Sequence, residues 1–380
     1  MSLVTVDEMA ARIEAGELDD PREGGARRVV VTKASTIQMK PVHWLWRKRM
    51  PLGELTLLAG REGIGKSTVA FQLAAWITRG EMKGDFQGTP RSVIIAATED
   101  SWEHTIVPRL IGAGADLDRV LRVEVETSKG LHGTLTLPSD LGELERVVNE
   151  NDVALLLLDP LMSRLSTNLD SHKDAEVRVA LEPLTDFAKR TNVAVLGLIH
   201  VNKGKDTDAL NLIMGSRAFP AVARAVLVAM KDPEQPNQFI LGLEKSNLGS
   251  VADLPAFAYR ITDKEVGQSA EGETISTGVV EWLGDSAKTI REAMETTAAI
   301  ANGDDAPALT EAAEWLEDYL RAARTDDAKQ SMAIKKAAHA VGISASSLAR
   351  ARQRLGVTTR SFGFPRTSVW ELPEQAAVPF

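Results

Sequence analysis

The chain has 380 residues, enough for about two to three folding units at roughly 150 residues each, and a formal charge of −9 that argues against a molecule coating nucleic acid over its whole surface. It contains no cysteine, which excludes disulfides, thiolate zinc sites, iron–sulfur clusters and a cysteine nucleophile. With 44% hydrophobic and 26% charged residues it has a globular composition. No apolar run approaches the about 18 residues of a membrane span, and the amino terminus lacks a secretory pattern, so a cytoplasmic protein is expected.

From the amino terminus, residues 1–40 read as an extension. Between Ala26 and Gly53 every ionised side chain is basic (Arg27, Arg28, Lys33, Lys40, Arg47, Lys48 and Arg49), a run whose plain reading is a solvated face. Gly53 to Ala59 then reads as a short buried strand that runs into Gly60-Arg61-Glu62-Gly63-Ile64-Gly65-Lys66-Ser67, followed by helical spacing from Thr68 to Ile77. This G-x-x-x-x-G-K-S pattern between a strand and a helix is a phosphate-binding loop. Its glycines let backbone N–H groups turn toward phosphates, and the helix amino terminus adds partial positive charge. Gly60, Gly63, Gly65, Lys66, Ser67 and Thr68 are the expected nucleotide-binding set, with Lys66 on the β- and γ-phosphates of ATP and Ser67 on magnesium.

Three more buried strands carry polar residues at their carboxyl ends, where open α/β folds bind ligands. Ser92 to Ala97 stops at Thr98-Glu99-Asp100, and Glu99 is placed to orient the attacking water. Val153 to Leu158 is apolar throughout, as a strand covered on both faces should be, and stops at Asp159, which has the position of a magnesium carboxylate. Val193 to Ile199 ends in His200, a candidate sensor of the γ-phosphate.

Together these features resemble the RecA-like ATPase core, most closely the RepA/DnaB branch of hexameric helicases and the AAA-family ATPases of actinobacteria and their phages. The resemblance runs from about Pro41 to Trp282 and includes the introductory phrase from Pro41 through Gly53. It implies an α/β fold with a mainly parallel central sheet, a core over residues 41–300, and a hexameric homo-oligomer whose nucleotides lie between neighbours. Asp159, Glu99 and His200 would act in cis. Gly215 to Arg224 is similar to the family's arginine-finger segment, with Arg224 in the matching position as a group acting in trans and Arg217 as second choice. Lys245-Ser246-Asn247 stands where related helicases carry Lys-x-Arg, which leaves Lys245 as a lysine acting in trans. In such a ring the loops Met162 to Asp174 and Lys203 to Ser216 would face the channel and bind single-stranded DNA. The expected contacts are Lys203, Lys205 and Arg217; aromatics are scarce, so phosphate contacts would dominate.

Residues 301–307 are small and acidic and make the expected linker to a second domain over 308–380. Leu309 to Ala323 and Met332 to Val341 have helical spacing, Gly342 ends the second, and Ser344 caps a third that runs to Leu355. Val357 to Leu372, bent at Gly363 and Pro365, reads as a two-stranded wing. This is the pattern of a winged helix-turn-helix. From Ala328 to Trp370 the ionised groups are all basic, so Arg350, Arg352 and Arg354 on the recognition helix and Arg360 and Arg366 on the wing are expected to contact duplex DNA. Two functions fit: a DNA-dependent ATPase acting as a replicative helicase, or an ATP-gated DNA-binding regulator or helicase loader that does not unwind. A strand-exchange recombinase has less support, because no amino-terminal polymerisation strand is recognisable.

Overall fold

The computed structural model describes residues 31–126, 132–165, 169–171, 173–202, 208–235, 237–251, 254–302, 306–323, 325–326, 329–362 and 367–373. The chain divides into two units, Met1–Pro41 and Val42–Phe380. In the first, the described residues hold one 3-10 turn, Ala34–Thr36, closed by the Thr36 hydroxyl donating to the Lys33 carbonyl at 2.8 Å.

The second unit opens with a small hairpin, β1 (Trp44–Trp46) and β2 (Met50–Pro51). The core then alternates strand and helix: β3 (Leu55–Gly60), α1 (Lys66–Thr78), β4 (Ser92–Ala97), a π turn at Trp102–Ile106 that leads into α2 (Val107–Ala113), and β5 (Val120–Arg122). A two-stranded excursion, β6 (Val125–Glu126) and β7 (His132–Gly133), precedes α3 (Leu141–Glu150) and β8 (Val153–Asp159). Then come α4 (Asp174–Thr191), β9 (Ala194–His200), α5 (Ala218–Val222), β10 (Ala225–Lys231), β11 (Phe239–Ser246), and a long hairpin of β12 (Phe257–Gln268) and β13 (Thr274–Asp285).

Among the described residues nine strands form one sheet in the order β13-β12-β11-β10-β3-β9-β8-β4-β5. The ladders from β10 to β5 are parallel, whereas β11, β12 and β13 pair antiparallel, so the fold is the expected α/β class with a mainly parallel sheet. Parallel strands need crossovers, and the helices that supply them cover both faces, which is why these strands are mostly apolar, with Asp159 and His200 at the carboxyl ends of β8 and β9. Alternate residues point to opposite faces. Leu156 and Leu158 pack with α3 and α4, while Leu155 and Leu157 pack with α1, α2 and the β1–β2 hairpin. β9 lies between β3 and β8, so one strand separates the phosphate loop from Asp159.

After the sheet, α6 (Ile290–Asn302) and α7 (Ala306–Ala322) extend to either side of residues 303–305, so helix occupies both ends of the expected linker. Both flanks are rich in alanine and so favour helix. The carboxyl-terminal module continues with α8 (Ser331–Ala340), α9 (Ala345–Arg354), β14 (Thr358–Phe362) and β15 (Thr367–Glu371). Gly342, at φ +81°, turns the chain after α8, and the Ser344 hydroxyl accepts from the Ser347 N–H at 3.0 Å to start α9. The two strands pair antiparallel from Thr358 opposite Glu371 to Phe362 opposite Thr367. Its own core is Leu316, Leu320, Ile334, Ala338, Leu348, Ala351, Val357 and Trp370. No helix among the described residues is long and apolar enough to cross a membrane.

Candidate nucleotide site

The parallel strands bring their carboxyl ends to one edge, and that edge collects the polar residues. Gly60 at the end of β3 lies in register with His200 on β9 and Ala229 on β10, while Ala97 on β4 lies opposite Asp159 on β8. Gly60 is required by crowding: a Cβ there would lie 2.6 Å from the Ala229 carbonyl oxygen and 2.3 Å from Ile64 Cδ1. Gly65 caps α1 in the left-handed region at φ +80°, and a side chain there would meet Ile261 of β12 at 2.9 Å. The loop therefore takes a conformation that only glycine tolerates at these positions.

Lys66 is buried at the start of α1, where its ammonium donates to the Arg61 carbonyl at 2.9 Å and stands 3.3 Å from His200 Nδ1. Burial pushes the Lys66 pKa down, opposed by the nearby carboxylates of Asp159, Glu62 and Glu99. Burial also holds Asp159 above the usual carboxylate range; the Ser67 side chain hydrogen-bonded to it works the other way, while Asp100 and Glu99 raise it further. His200 is held below its ordinary value, first by burial and then by the Lys66 charge, so its neutral form is favoured. Thr68 is buried in the first turn of α1, and Gly63 is exposed at the loop's tip.

The donors present fit magnesium, a hard ion that keeps several waters and needs only one or two protein oxygens beside substrate phosphates. Ser67 and Asp159 supply such oxygens side by side. Among the described residues no group of three or more His, Cys, Asp or Glu could hold a metal ion by itself.

Two further residues, neither among the expected site residues, contribute. Asp100 adds a further carboxylate near Asp159 and is held by Arg109 of α2 at 3.0 Å. Tyr259, fully buried on β12, donates its hydroxyl to the Ile64 carbonyl at 2.8 Å. Asp100 stands in the Thr98-Glu99-Asp100 triplet that ends β4, so its position was visible; its arginine partner was not.

Arg224 and Lys245 lie at the opposite edge of the sheet. Arg224 precedes β10 and donates its backbone N–H to the Leu55 carbonyl at 2.9 Å, and Lys245 pairs with Val226 at the start of the same strand. The Arg224 guanidinium is half-exposed, 3.7 Å from Glu54. Lys245 is engaged within its own chain, donating to the carbonyls of Pro220, Ala221 and Ala223 at 2.5, 3.3 and 2.8 Å and so capping α5. Neither reaches the phosphate loop of its own chain.

Of the expected single-strand contacts, Lys203 and Lys205 lie outside the described residues, and Arg217 is exposed at the start of α5. The two expected channel loops touch, the Ser216 N–H donating to the Ser171 carbonyl at 2.8 Å. In the carboxyl-terminal module Arg352 is packed against the core. Its side chain is 11% exposed, lies 3.6 Å from Glu234 in the β10–β11 turn, and sits over the Trp370 ring at 4.8 Å. The guanidinium is therefore engaged with Glu234 of the core and with Trp370. Arg350 and Arg354 lie on the same helix, Arg360 pairs with Glu371 and Asp326 on the surface, and Arg366 lies outside the described residues.

The chain matches the family model of an AAA domain over residues 20–206. Among solved structures it is similar to the crystal structure of the RadB recombinase at 20% identity and a TM-score of 0.39, covering 56% of this chain and 89% of that one. No curated protein matches it.

Proposed function

We propose that this chain is a magnesium-dependent ATPase that acts on DNA, and specifically a RepA-like replicative helicase that moves along single-stranded DNA as a hexameric ring in the cytoplasm. The observation that carries the reading is the division of polar groups between two edges of one sheet. Lys66, Ser67, Glu99, Asp159 and His200 share one edge, and Arg224 stands at the other, away from its own phosphate loop, which supports a role toward a neighbour's nucleotide.

The chemistry is phosphoryl transfer to water: the oxygen of water bonds to the γ-phosphorus as the bond to the β–γ bridging oxygen breaks, giving ADP, inorganic phosphate and the proton that the water gives up. Lys66 balances charge on the β- and γ-phosphates, Glu99 orients the water, and the neighbour's Arg224 meets the charge that develops on the transferred group. Ser67 and Asp159 would hold magnesium, which would supply positive charge to the phosphates. His200, touching Lys66 and ending β9, passes the state of the phosphates to residues 203–207 beyond it. There Lys203 and Lys205, with Arg217, hold the strand through its backbone. Lys245 remains available to a neighbour only if it leaves the carbonyls of α5.

The module from α7 to β15 has the element order of a winged helix-turn-helix. On this reading it meets duplex DNA through Arg350, Arg354, Arg360 and Arg366. A second reading, an ATP-gated regulator or helicase loader without unwinding, is favoured by one observation: Arg352 binds α9 to the core, as a DNA reader kept in check would be bound. Steady-state ATP hydrolysis without DNA, with single strands and with duplex, beside Lys66→Ala, separates the two. Strong stimulation by single strands, absent in the variant, supports the motor; slow hydrolysis on every DNA with tight duplex binding refutes it in favour of the regulator.

A further inference from the structure

The phosphate loop is braced by a strand that takes no part in its sequence motif. β12 is separated from β3 in the sheet by β11 and β10, yet Tyr259 of β12 reaches the loop and donates to the Ile64 carbonyl at 2.8 Å. Its ring is fixed between Phe239 and Trp282, at centroid distances of 5.3 and 5.7 Å. Two residues along the strand, Ile261 closes against Gly65. Burial pushes the Tyr259 phenol up from its ordinary value, so the hydroxyl keeps its proton and remains a donor across the neutral range.

In a planar trans peptide the carbonyl and the following N–H point in opposite directions. The carbonyl of Ile64 and the N–H of Gly65 belong to one such peptide. Fixing the first toward the buried ring therefore fixes the second away from it. Gly65 caps α1, and its N–H is among the free donors at a helix start to which anions bind. We propose that Tyr259 is a positioning residue for the nucleotide: by holding the Ile64 carbonyl it keeps the Gly65 N–H aimed at a bound phosphate. The inference rests on the nucleotide reading above and adds to it a residue outside the motif. Without the hydroxyl the buried carbonyl has no donor, and the peptide regains one by rotating, which turns the Gly65 N–H aside.

The test is Tyr259→Phe in the full chain, with Mg-ADP binding by calorimetry, ATP hydrolysis at saturation, and thermal unfolding measured together. Phe239→Leu, which loosens the same ring stack without touching Ile64, is the comparison. Tyr259→Phe is expected to bind Mg-ADP about three- to tenfold more weakly and to raise KM by the same factor, with kcat unchanged. Phe239→Leu is expected to lose thermal stability yet bind as the parent does. Parental affinity in Tyr259→Phe, or equal weakening in Phe239→Leu, overturns the inference while the nucleotide reading stands. A parent protein that binds Mg-ADP no better than Lys66→Ala overturns the nucleotide reading and this inference with it.

Discussion

Removing the Glu234 carboxylate tests whether the carboxyl-terminal module is locked to the core by charge. Glu234 stands 2.6 Å from Lys288 and 3.6 Å from Arg352, with Asp232 2.9 Å from Lys288, and all four side chains are at most 11% exposed. At an effective dielectric near 20, two unit charges at the Arg352 distance attract by about 5 kcal/mol before desolvation is counted. Deleting one member of a buried pair costs about 3–5 kcal/mol, because the other is left buried without its counter-charge. Lys288 keeps Asp232, so the lower figure, about 3 kcal/mol, is expected for Glu234→Ala. That corresponds to opening of the contact about 150-fold more often. Hydrogen exchange read by mass spectrometry reports this locally: amides of α9 should exchange roughly a hundredfold faster in Glu234→Ala, while those of β8 keep their protection. Arg352→Ala should do the same, and the double variant should fall short of the sum by about 1–3 kcal/mol. Less than a threefold change in α9, or strict additivity, would show that the cluster does not hold the module.

Three further outcomes are expected. Gly60→Ala should lower stability by about 2–3 kcal/mol in thermal unfolding, since the added methyl meets a backbone oxygen of β10 that has nowhere to go. Arg224→Ala should change the stability of the single chain by about 0.5 kcal/mol or less, because its contact with Glu54 is 3.7 Å long and half-exposed, but should lower hydrolysis in the assembled protein at least about a hundredfold. Activity regained on mixing Arg224→Ala with Lys66→Ala would be the mark of a group acting in trans. The third concerns acidity. His200 has a folded pKa below its unfolded value near 6.5, so the unfolded chain binds its proton first; stability is complete above that pH and declines as the pH falls below it, until the folded histidine is also charged. The midpoint of thermal unfolding measured from pH 7.5 to 5 should drop less in His200→Gln than in the parent.

The parts of the fold that were legible in the sequence are those whose physics is local. The apolar run of β8 announces burial on both faces, and the glycine pattern after β3 announces a backbone that must turn toward an anion. The α9 cap at Ser344 was readable for the same reason, a hydroxyl one turn ahead of an orphan N–H. What the sequence did not disclose depends on partners far along the chain. Arg352 reads as one more basic residue on an amphipathic helix, and only the fold puts Glu234 and Trp370 around it. Tyr259 belongs to an alternation, Phe257, Tyr259 and Ile261, that marks a strand face, but the carbonyl its hydroxyl serves lies in another element. Arg109 is nine residues from Asp100, yet the intervening π turn sets their meeting, and no periodicity predicts such a turn.

The placement of the two edges has a consequence for counting. If the phosphate loop of one copy is completed by Arg224 of the next, two copies related by a two-fold axis set like edge against like edge and complete nothing. Head-to-tail contact is required, and it either closes or runs on. An open row of n copies then holds n − 1 finished sites, whereas a closed ring of n holds n. Hydrolysis per chain would therefore climb with protein concentration as rows lengthen and level off at closure, so a dilution series by itself would distinguish a site shared between copies from one that each chain completes alone.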